Sequence, residues 1–460
     1  MNSPNIDLSS RANHRTASGH SNLPSLRRGV FFALLWAGLI LSWSAHASIP
    51  VWEGAPLADL VDEGLRNNKE LQSLEAQLKS QRQEVSVAGS LDDPRIGVGI
   101  LNLPVDSFSF SQEPMTQKQI SIAQRIPWFG KRSLRSQLET QKVLRQMALI
   151  DAKKAELVSK IAAAYYELGF VAESVAVNEK MSALVDQLLR VAETKYSSGE
   201  GLQQDVLQAQ VERSTLLEEK IVLEKNRRLL EDTINELLNR NTFATITLPA
   251  NFSFPALELD LDSLKAQSLL TNPQVQMRQA ELAEARVEVE LAQKDYLPNM
   301  DVMAAYGQRE EDAAGRNLPD FVSASLSFNI PLWYKSRQRP KLDSTRKKHE
   351  AAEKMYANLI ETLPHQVDGL VTEIRNNQQN YKLYDEALVL QAEQWARSAL
   401  SGYEVGKVGF DVMINAQLRL LRLKLKEKRF LFNIYQKRVQ LGELLGEALP
   451  PEQPSASGNN

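Results

Sequence analysis

The side chains able to do chemistry are few and widely spaced. The chain of 460 residues has no Cys, which excludes thiolate metal sites, a Cys nucleophile, a disulfide framework and lipid attachment through an N-terminal Cys. Beyond the N-terminal segment the histidines are His349 and His365, 16 positions apart on a predicted helix. That spacing is too wide for a joint ligand site in one chain, and no His-Glu-x-x-His pair is present. Gly97-x-Gly99 lacks a third glycine and opens no helix, so it is no phosphate loop. Met300 and Met303 could offer thioethers to a soft metal, but strand spacing accounts for them better. Asp205 and Asp411 follow glycine-containing turns, where an aspartate is a favoured helix N-cap. No catalytic residue, cofactor or metal site is therefore expected. With 54 basic against 57 acidic residues, nothing in the overall charge calls for nucleic acid.

These residues must be positioned by the rest of the chain, and its N-terminus sets the compartment. Arg27 and Arg28 precede an apolar run from Val30 to Leu41, and Ala45-His46-Ala47 supplies a small-x-small site. This is the pattern of a secretory signal peptide over residues 1–47, cleaved after Ala47; the alternative is a short membrane anchor. Removal leaves 50 basic and 56 acidic residues, a net charge of −6. No later stretch approaches 18 continuous apolar residues, so a membrane span of the mature chain would have to be β.

The chain is written twice. Leu57, Leu60, Leu65, Asn68 and Leu71 return as Leu261, Leu264, Leu269, Asn272 and Val275, a shift of 204. Pro94 returns as Pro298, Ile126-Pro127 as Ile330-Pro331 and Lys131 as Lys335. Further on, Tyr196-x-x-Gly199 and Ala209-Gln210 return as Tyr403-x-x-Gly406 and Ala416-Gln417, at 207. The expected organisation is a first repeat at 48–240, an irregular inter-repeat belt at 241–260, a second repeat at 261–446 and a disordered tail at 447–460.

Each repeat reads as helix, strand, loop, strand, long helix, tip, helix. Leu57 to Ser90 is expected to be helical until Asp92-Asp93-Pro94 breaks it. Ile96, Val98 and Ile100 then alternate with Gly97 and Gly99, and Ile120 and Ile122 with Ser121 and Ala123. In the second repeat Met300, Val302, Ala304 and Tyr306 share a face, as do Val322, Ala324, Leu326, Phe328 and Ile330. Such strands suit a membrane β-barrel, the alternative being a small soluble sheet packed on helices. Four strands cannot close a barrel and open edges cannot face lipid, so a barrel would be shared by two or three chains. Trp128, Phe129, Trp333 and Tyr334 suit a membrane-interface girdle. Lys131, Arg132 and Arg135 open a helix against its macrodipole, and Lys335, Arg337 and Arg339 repeat them. Anionic head groups would explain that placement; solvated surface cations are the bland alternative.

From Lys131 to Tyr196 is 66 residues, about 100 Å of helix, and the flanking helices are each a little over half as long. One long helix can thus run beside two shorter ones. Leu157, Ile161, Ala164, Leu168, Val171 and Val175 step by four and three, and Leu216, Leu223, Leu230 and Leu237 by seven, as packing seams do. Pro364 should kink or interrupt the second long helix. Gly199, Gly201, Gly406 and Gly409 are expected to permit the tip turns.

The duplicated unit, the IPWFGKR junction (Ile126–Arg132) and the Y-x-x-G…D-V-L-x-A-Q tip (Tyr196 to Gln210) resemble the TolC-like outer-membrane efflux proteins, over Leu57 to Leu445. The stretch from Gln112 to Arg132 looks most like the heavy-metal branch related to CzcC and CusC. The resemblance implies a mainly α fold with a membrane β part. Four strands per chain would join a shared, trimeric 12-stranded barrel above a long coiled-coil tunnel. It implies a homotrimer in the outer membrane of a Gram-negative cell, in contact with outer-membrane lipid and with a large periplasmic part. It also implies docking to a periplasmic adaptor and an inner-membrane pump of the resistance-nodulation-division type. Carried over by motif, Asp205, Tyr403, Asp411 and Asn415 fall at the periplasmic tip, where the tunnel of such proteins closes. Val408 replaces an arginine that can tie that latch, and Asn415 a second acid, so a polar closure with one acidic ring at Asp411 is implied instead. The function expected is a passive efflux duct, with a protein-secretion duct or a pore-less coiled-coil envelope protein as alternatives.

Overall fold

The computed structural model describes residues 56–241, 243–249, 251–252, 254 and 259–446; the expected signal peptide and tail lie outside them. The first repeat comprises α1 (Pro56–Asn67), α2 (Lys69–Gly89), β1 (Arg95–Leu101), β2 (Gln117–Ile126), α3 (Lys131–Ser197) and α4 (Gln203–Leu237). The second comprises α5 (Leu261–Thr271), α6 (Pro273–Lys294), β3 (Met300–Gln308) and β4 (Phe321–Phe328). It continues as α7 (Gln338–Leu383), a π turn (Tyr384–Leu388), α8 (Val389–Glu404) and α9 (Phe410–Leu445). With 67 residues, α3 is about 100 Å long. Among the described residues no helix is long and apolar enough to cross a membrane.

The first helix is not continuous as expected. It breaks at Asn68, whose side chain accepts from the Leu71 amide at 2.9 Å and so caps a new helix. Asn272 does the same in the second repeat, accepting from the Gln274 amide at 2.7 Å, with Pro273 in the first helical position. Asn272 is buried, and its amide also donates to the Leu444 carbonyl at 2.7 Å, tying the end of α9 to the α5–α6 corner.

Of the kink or interruption expected at Pro364, the interruption is absent: α7 runs through it. Proline's fixed φ is itself helical and costs one donor there, while buried Leu363, Val367 and Val371 hold the helix against its neighbours. The irregularity lies further on, at the π turn, and the repeat explains it. Upstream, buried Leu157, Ile161, Tyr165 and Leu168 match buried Leu363, Val367, Val371 and Ile374 at a shift of 206. Downstream, Val185, Leu189 and Ala192 match Ala392, Ala396 and Ala399 at 207. The π turn absorbs one inserted residue and returns α8 to the buried phase of its counterpart.

The strands form one antiparallel sheet in the order β1-β2-β3-β4, with β1 and β4 at free edges. Register places Ile96, Ile122, Ala304 and Ala324 in one row, and Val98, Ile120, Tyr306 and Val322 in the next. This face is mostly apolar and largely exposed, with Lys118, Gln124 and Gln308 toward its ends. The opposite face carries small residues, with Gly97, Ser121, Ala305 and Ser323 forming one row. It also carries Arg95, and Arg125 and Asp301, which pair at 3.1 Å. Met300 and Met303 fall on opposite faces of β3, so they cannot share a metal.

The two repeats are sealed together along α3 and α9. Tyr166 stacks on Tyr435 at 4.6 Å, and Phe252 from the inter-repeat segment meets Phe432 edge-on at 4.7 Å. A side chain at Gly169 would collide with both phenylalanines, so glycine lets α3 approach. The described part of 241–260 has no helix or strand and is pinned by Phe252 and by Phe254, which stacks on Tyr381.

Asn68→Ala should cost about 1 kcal/mol through loss of the cap. Asn272→Ala should cost about 1 kcal/mol more, because the part-buried Leu444 carbonyl also loses its partner. Denaturant midpoints of the two variants test this order; equal losses would contradict it.

Candidate functional site

The tip turns are built identically. Gly199 (φ 80°) and Gly406 (φ 72°) take the left-handed conformation that ends a helix and reverses the chain. The Lys195 carbonyl accepts from Glu200 and Gly201 amides, both at 2.9 Å, and the Gly402 carbonyl accepts from Lys407 and Val408 at 2.8 and 3.3 Å. In each turn the residue beginning the motif lies against the one closing it, with room for one side chain. A Cβ on Gly201 would lie 2.9 Å from the Lys195 Cβ, and one on Gly402 would lie 3.2 Å from Val408. The first repeat keeps its bulk at Lys195, the second at Val408.

Asp205 and Asp411 are not caps. The N-cap positions are Leu202 and Gly409, and both carboxylates sit inside the first turn, where the helix dipole favours them. Gly409 has φ −74°, so it is not required for a special backbone conformation. A Cβ there would instead strike Asp411 Oδ1 at 2.5 Å. Asp411 and Asn415 are exposed and four residues apart on one face of α9. Tyr403 is buried, its ring edge-on to Phe410 and its face under Lys195 Nζ at 4.1 Å. Burial, and then the Asp205 charge, push its hydroxyl pKa up. Lys195 was not singled out by sequence reasoning, because a lysine in a last helical turn is ordinary; only the fold sets it over a ring of the other repeat.

At the sheet junction the cations are mostly spoken for. Lys131 is buried, and its amine donates to the Leu297 carbonyl at 2.9 Å and Asn299 Oδ1 at 3.0 Å, beside Asp295 at 3.9 Å. Desolvation lowers its pKa. A head-group role for Lys131 is therefore replaced by a structural one, joining the start of α3 to the start of β3. Arg132 Nε donates to the Gly89 carbonyl at 2.8 Å, capping the C-terminus of α2. Opposition to α3's own dipole is thus offset by the ends of other helices. Lys335 is exposed, as are Phe129, Trp333 and Tyr334, while Trp128 is half-buried. Ile330 and Leu332 join the exposed group, two residues sequence reasoning left out of the interface set. Among the described residues no three His, Asp or Glu side chains gather as metal ligands.

The profile of the outer membrane efflux protein family matches residues 60–240 and 264–447, once per repeat. The chain belongs to that family. An outer membrane efflux protein of Pseudomonas aeruginosa, the pyoverdine export protein OpmQ, is 22% identical over 92% of this chain and 95% of its own length. The crystal structure of CusC superposes with a TM-score of 0.71 at 14% identity, covering 85% of this chain and 92% of that one. The structure of VceC from Vibrio cholerae gives 0.70 at 18% identity, covering 85% and 96%. Within this efflux family the sheet belongs to the outer membrane and the helices to a periplasmic tunnel, and the family is one of channels, not enzymes.

If the ring of Tyr403, and not its hydroxyl, holds the two tips, Tyr403→Phe should leave amide exchange over residues 196–205 within about twofold. Lys195→Gln should speed it about fivefold, the equivalent of about 1 kcal/mol. Equal acceleration in Tyr403→Phe would assign the contact to the hydroxyl.

Proposed function

We propose that three copies of this chain form a passive exit duct across the outer membrane for cargo delivered by an inner-membrane pump and a periplasmic adaptor. The observation that carries this is the sheet: four strands, two free edges, one mostly apolar face and one face on which glycine, alanine and serine sit among Arg95, Gln119, Arg125 and Asp301. In lipid, unpaired edges are untenable, and three copies supply twelve strands, an even number within the range of closed barrels. The apolar face then meets lipid and the small polar face lines the lumen. Phe129, Trp333 and Tyr334, with Trp128 beside them, form the girdle at the periplasmic interface, where Lys335 and the free edge of Arg132 meet head groups. Tyr403, Asp205, Asp411 and Asn415 form the tip gate, with Asp411 repeated by symmetry as an acidic ring.

A pump of the resistance-nodulation-division type is the partner this architecture fits. Among the described residues no three His, Asp or Glu side chains gather as metal ligands, so selection of a metal cargo falls to pump and adaptor. Heavy-metal cations are one cargo class, supported by the resemblance of Gln112–Arg132. The second, pyoverdine, is supported by the name of OpmQ. The pore-less envelope reading has no support left, given membership of a channel family.

Purified protein in planar bilayers should give stepwise conductance with a cation preference that Asp411→Asn reduces. Deletion of the gene should lower tolerance to zinc, cobalt, copper or drugs and leave protein secretion intact. No conductance would sink the duct; lost secretion with unchanged tolerance would make it a secretion duct.

A further inference from the structure

The duplication supplies an internal control for one corner of the chain, where α4 ends beside the break between α1 and α2. α4 and α9 run in step at a shift of 207, so Asn239 and Gly446 are equivalent. Both take the left-handed conformation, at φ 54° and 66°, and both amides return to a carbonyl three residues back, on Glu236 and Glu443. In the second repeat the corner is shut. A Cβ on Gly446 would lie 2.4 Å from the Thr271 carbonyl oxygen, and the last carbonyls of α9 accept from Thr271 and Asn272. In the first repeat the same position carries an exposed asparagine in a conformation that favours glycine, and the corner stands open.

Arg240 props it open. Its guanidinium reaches Glu63 of α1 with two bonds, at 2.7 and 2.8 Å, and donates to Asn235 Oδ1 at 3.2 Å. Buried Asn235 donates its own amide to the Glu231 and Ala244 carbonyls, at 2.7 and 2.8 Å. This fixed wall backs a cavity of about 360 Å³, within the range of small-molecule sites. Exposed Asp232, Glu236, Asn239 and Asn241 line it with Phe243, whose ring lies under the Arg228 guanidinium at 3.4 Å. α9 has Val439 and Gly442 where α4 has Asp232 and Asn235, so the second repeat keeps no such lining.

The lining selects a class of ligand. Its guanidinium is neutralised by Glu63 and two carboxylates share the cavity with it, which disfavours a phosphate or carboxylate ligand. Among the described residues no three His, Asp or Glu side chains gather for a metal. One aromatic ring is too little apolar surface for a lipid chain. Carboxamides and carboxylates, donors and acceptors side by side, match hydroxyl and acetamido groups.

We propose that this corner binds an uncharged glycan bearing N-acetyl groups, the polymer of the cell wall through which the periplasmic helices pass. α2 separates the corner from the sheet by 21 residues, about 30 Å, so the contact would hold the wall at one height on the column. The proposal goes beyond the duct reading and needs only the periplasmic placement of the helices.

Full-length protein in detergent, mixed with isolated cell-wall sacculi and centrifuged, should pellet with them. Asn239→Gly, which keeps the turn, and Asn241→Ala should each lower the bound fraction about fivefold. Glu443→Gln, at the shut corner, should not. Glycan strands freed of their peptides should compete, and the free peptides should not. No pelleting, equal pelleting of both variants, or competition by the peptides alone overturns the glycan site. Asn241→Cys gives the only thiol in the chain; if it resists a maleimide in the assembled protein and reacts once denatured, the cavity is covered and the proposal falls. Bilayer conductance should be the same in both cavity variants, so loss of the glycan site and loss of the duct are read separately.

Discussion

The constraint on which the rest depends is the pairing of backbone groups along the edges of one small sheet. Roughly half the residues of β1 and of β4 aim both N–H and C=O away from the sheet, where the chain itself has no partner to offer. In water such edges are a hazard, and in lipid each unpaired group costs several kcal/mol. The exposed apolar row from Val98 to Val322 shows that this sheet is not built for water. Placing it in lipid forces closure with other copies, and closure requires rigid supports that hold every copy at the same height. Lys131 is part of that support, because its buried amine welds the start of the long helix to the strand that follows α6. The capped corners at Asn68 and Asn272 fix where the flanking helices turn.

Duplication explains how one chain meets these demands twice with different residues. The tip turns share a hydrogen-bond pattern but exchange bulk, with Lys195 against Gly201 in one and Gly402 against Val408 in the other. The long helices share a buried phase although one carries an extra residue, taken up by a π turn. The differences matter for function. Lysine at 195 places a cation over Tyr403, joining the tips of the two repeats within a chain. The aromatic contact of Tyr166 with Tyr435 is not repeated at the matching positions, where Thr372 and Arg228 stand.

Much of this was legible in the residues, for identifiable reasons. Alternation in Ile96, Val98 and Ile100 is a local signal, and so are the paired Ile-Pro junctions and the shift of 204. What escaped depends on contacts distant in sequence. Lys131 looks like any exposed cation until Leu297 and Asn299 are brought beside it, and Arg132 until α2 ends under it. Asp205 and Asp411 follow glycine turns as caps do, yet the helices begin earlier, at Leu202 and Gly409, and the carboxylates fall inside. Local propensity makes Pro364 a site of kink or interruption because it ignores the packing of Leu363 and Val367, which keeps the helix continuous. The break at Asn68 could have been read, since asparagine at a helix start is a known cap. Its repeat at Asn272, followed by Pro273, doubled the signal.

The central claim is that the edges of the sheet are paired by other copies within a membrane. Amide hydrogen exchange of the protein in lipid bilayers, resolved over residues 95–101 and 321–328, tests it most directly. The account predicts that β1 and β4 are protected as strongly as the interior strands β2 and β3. Fast exchange confined to the outward-facing amides of β1 and β4, with β2 and β3 protected, would mean that the sheet stands open and that no shared barrel forms.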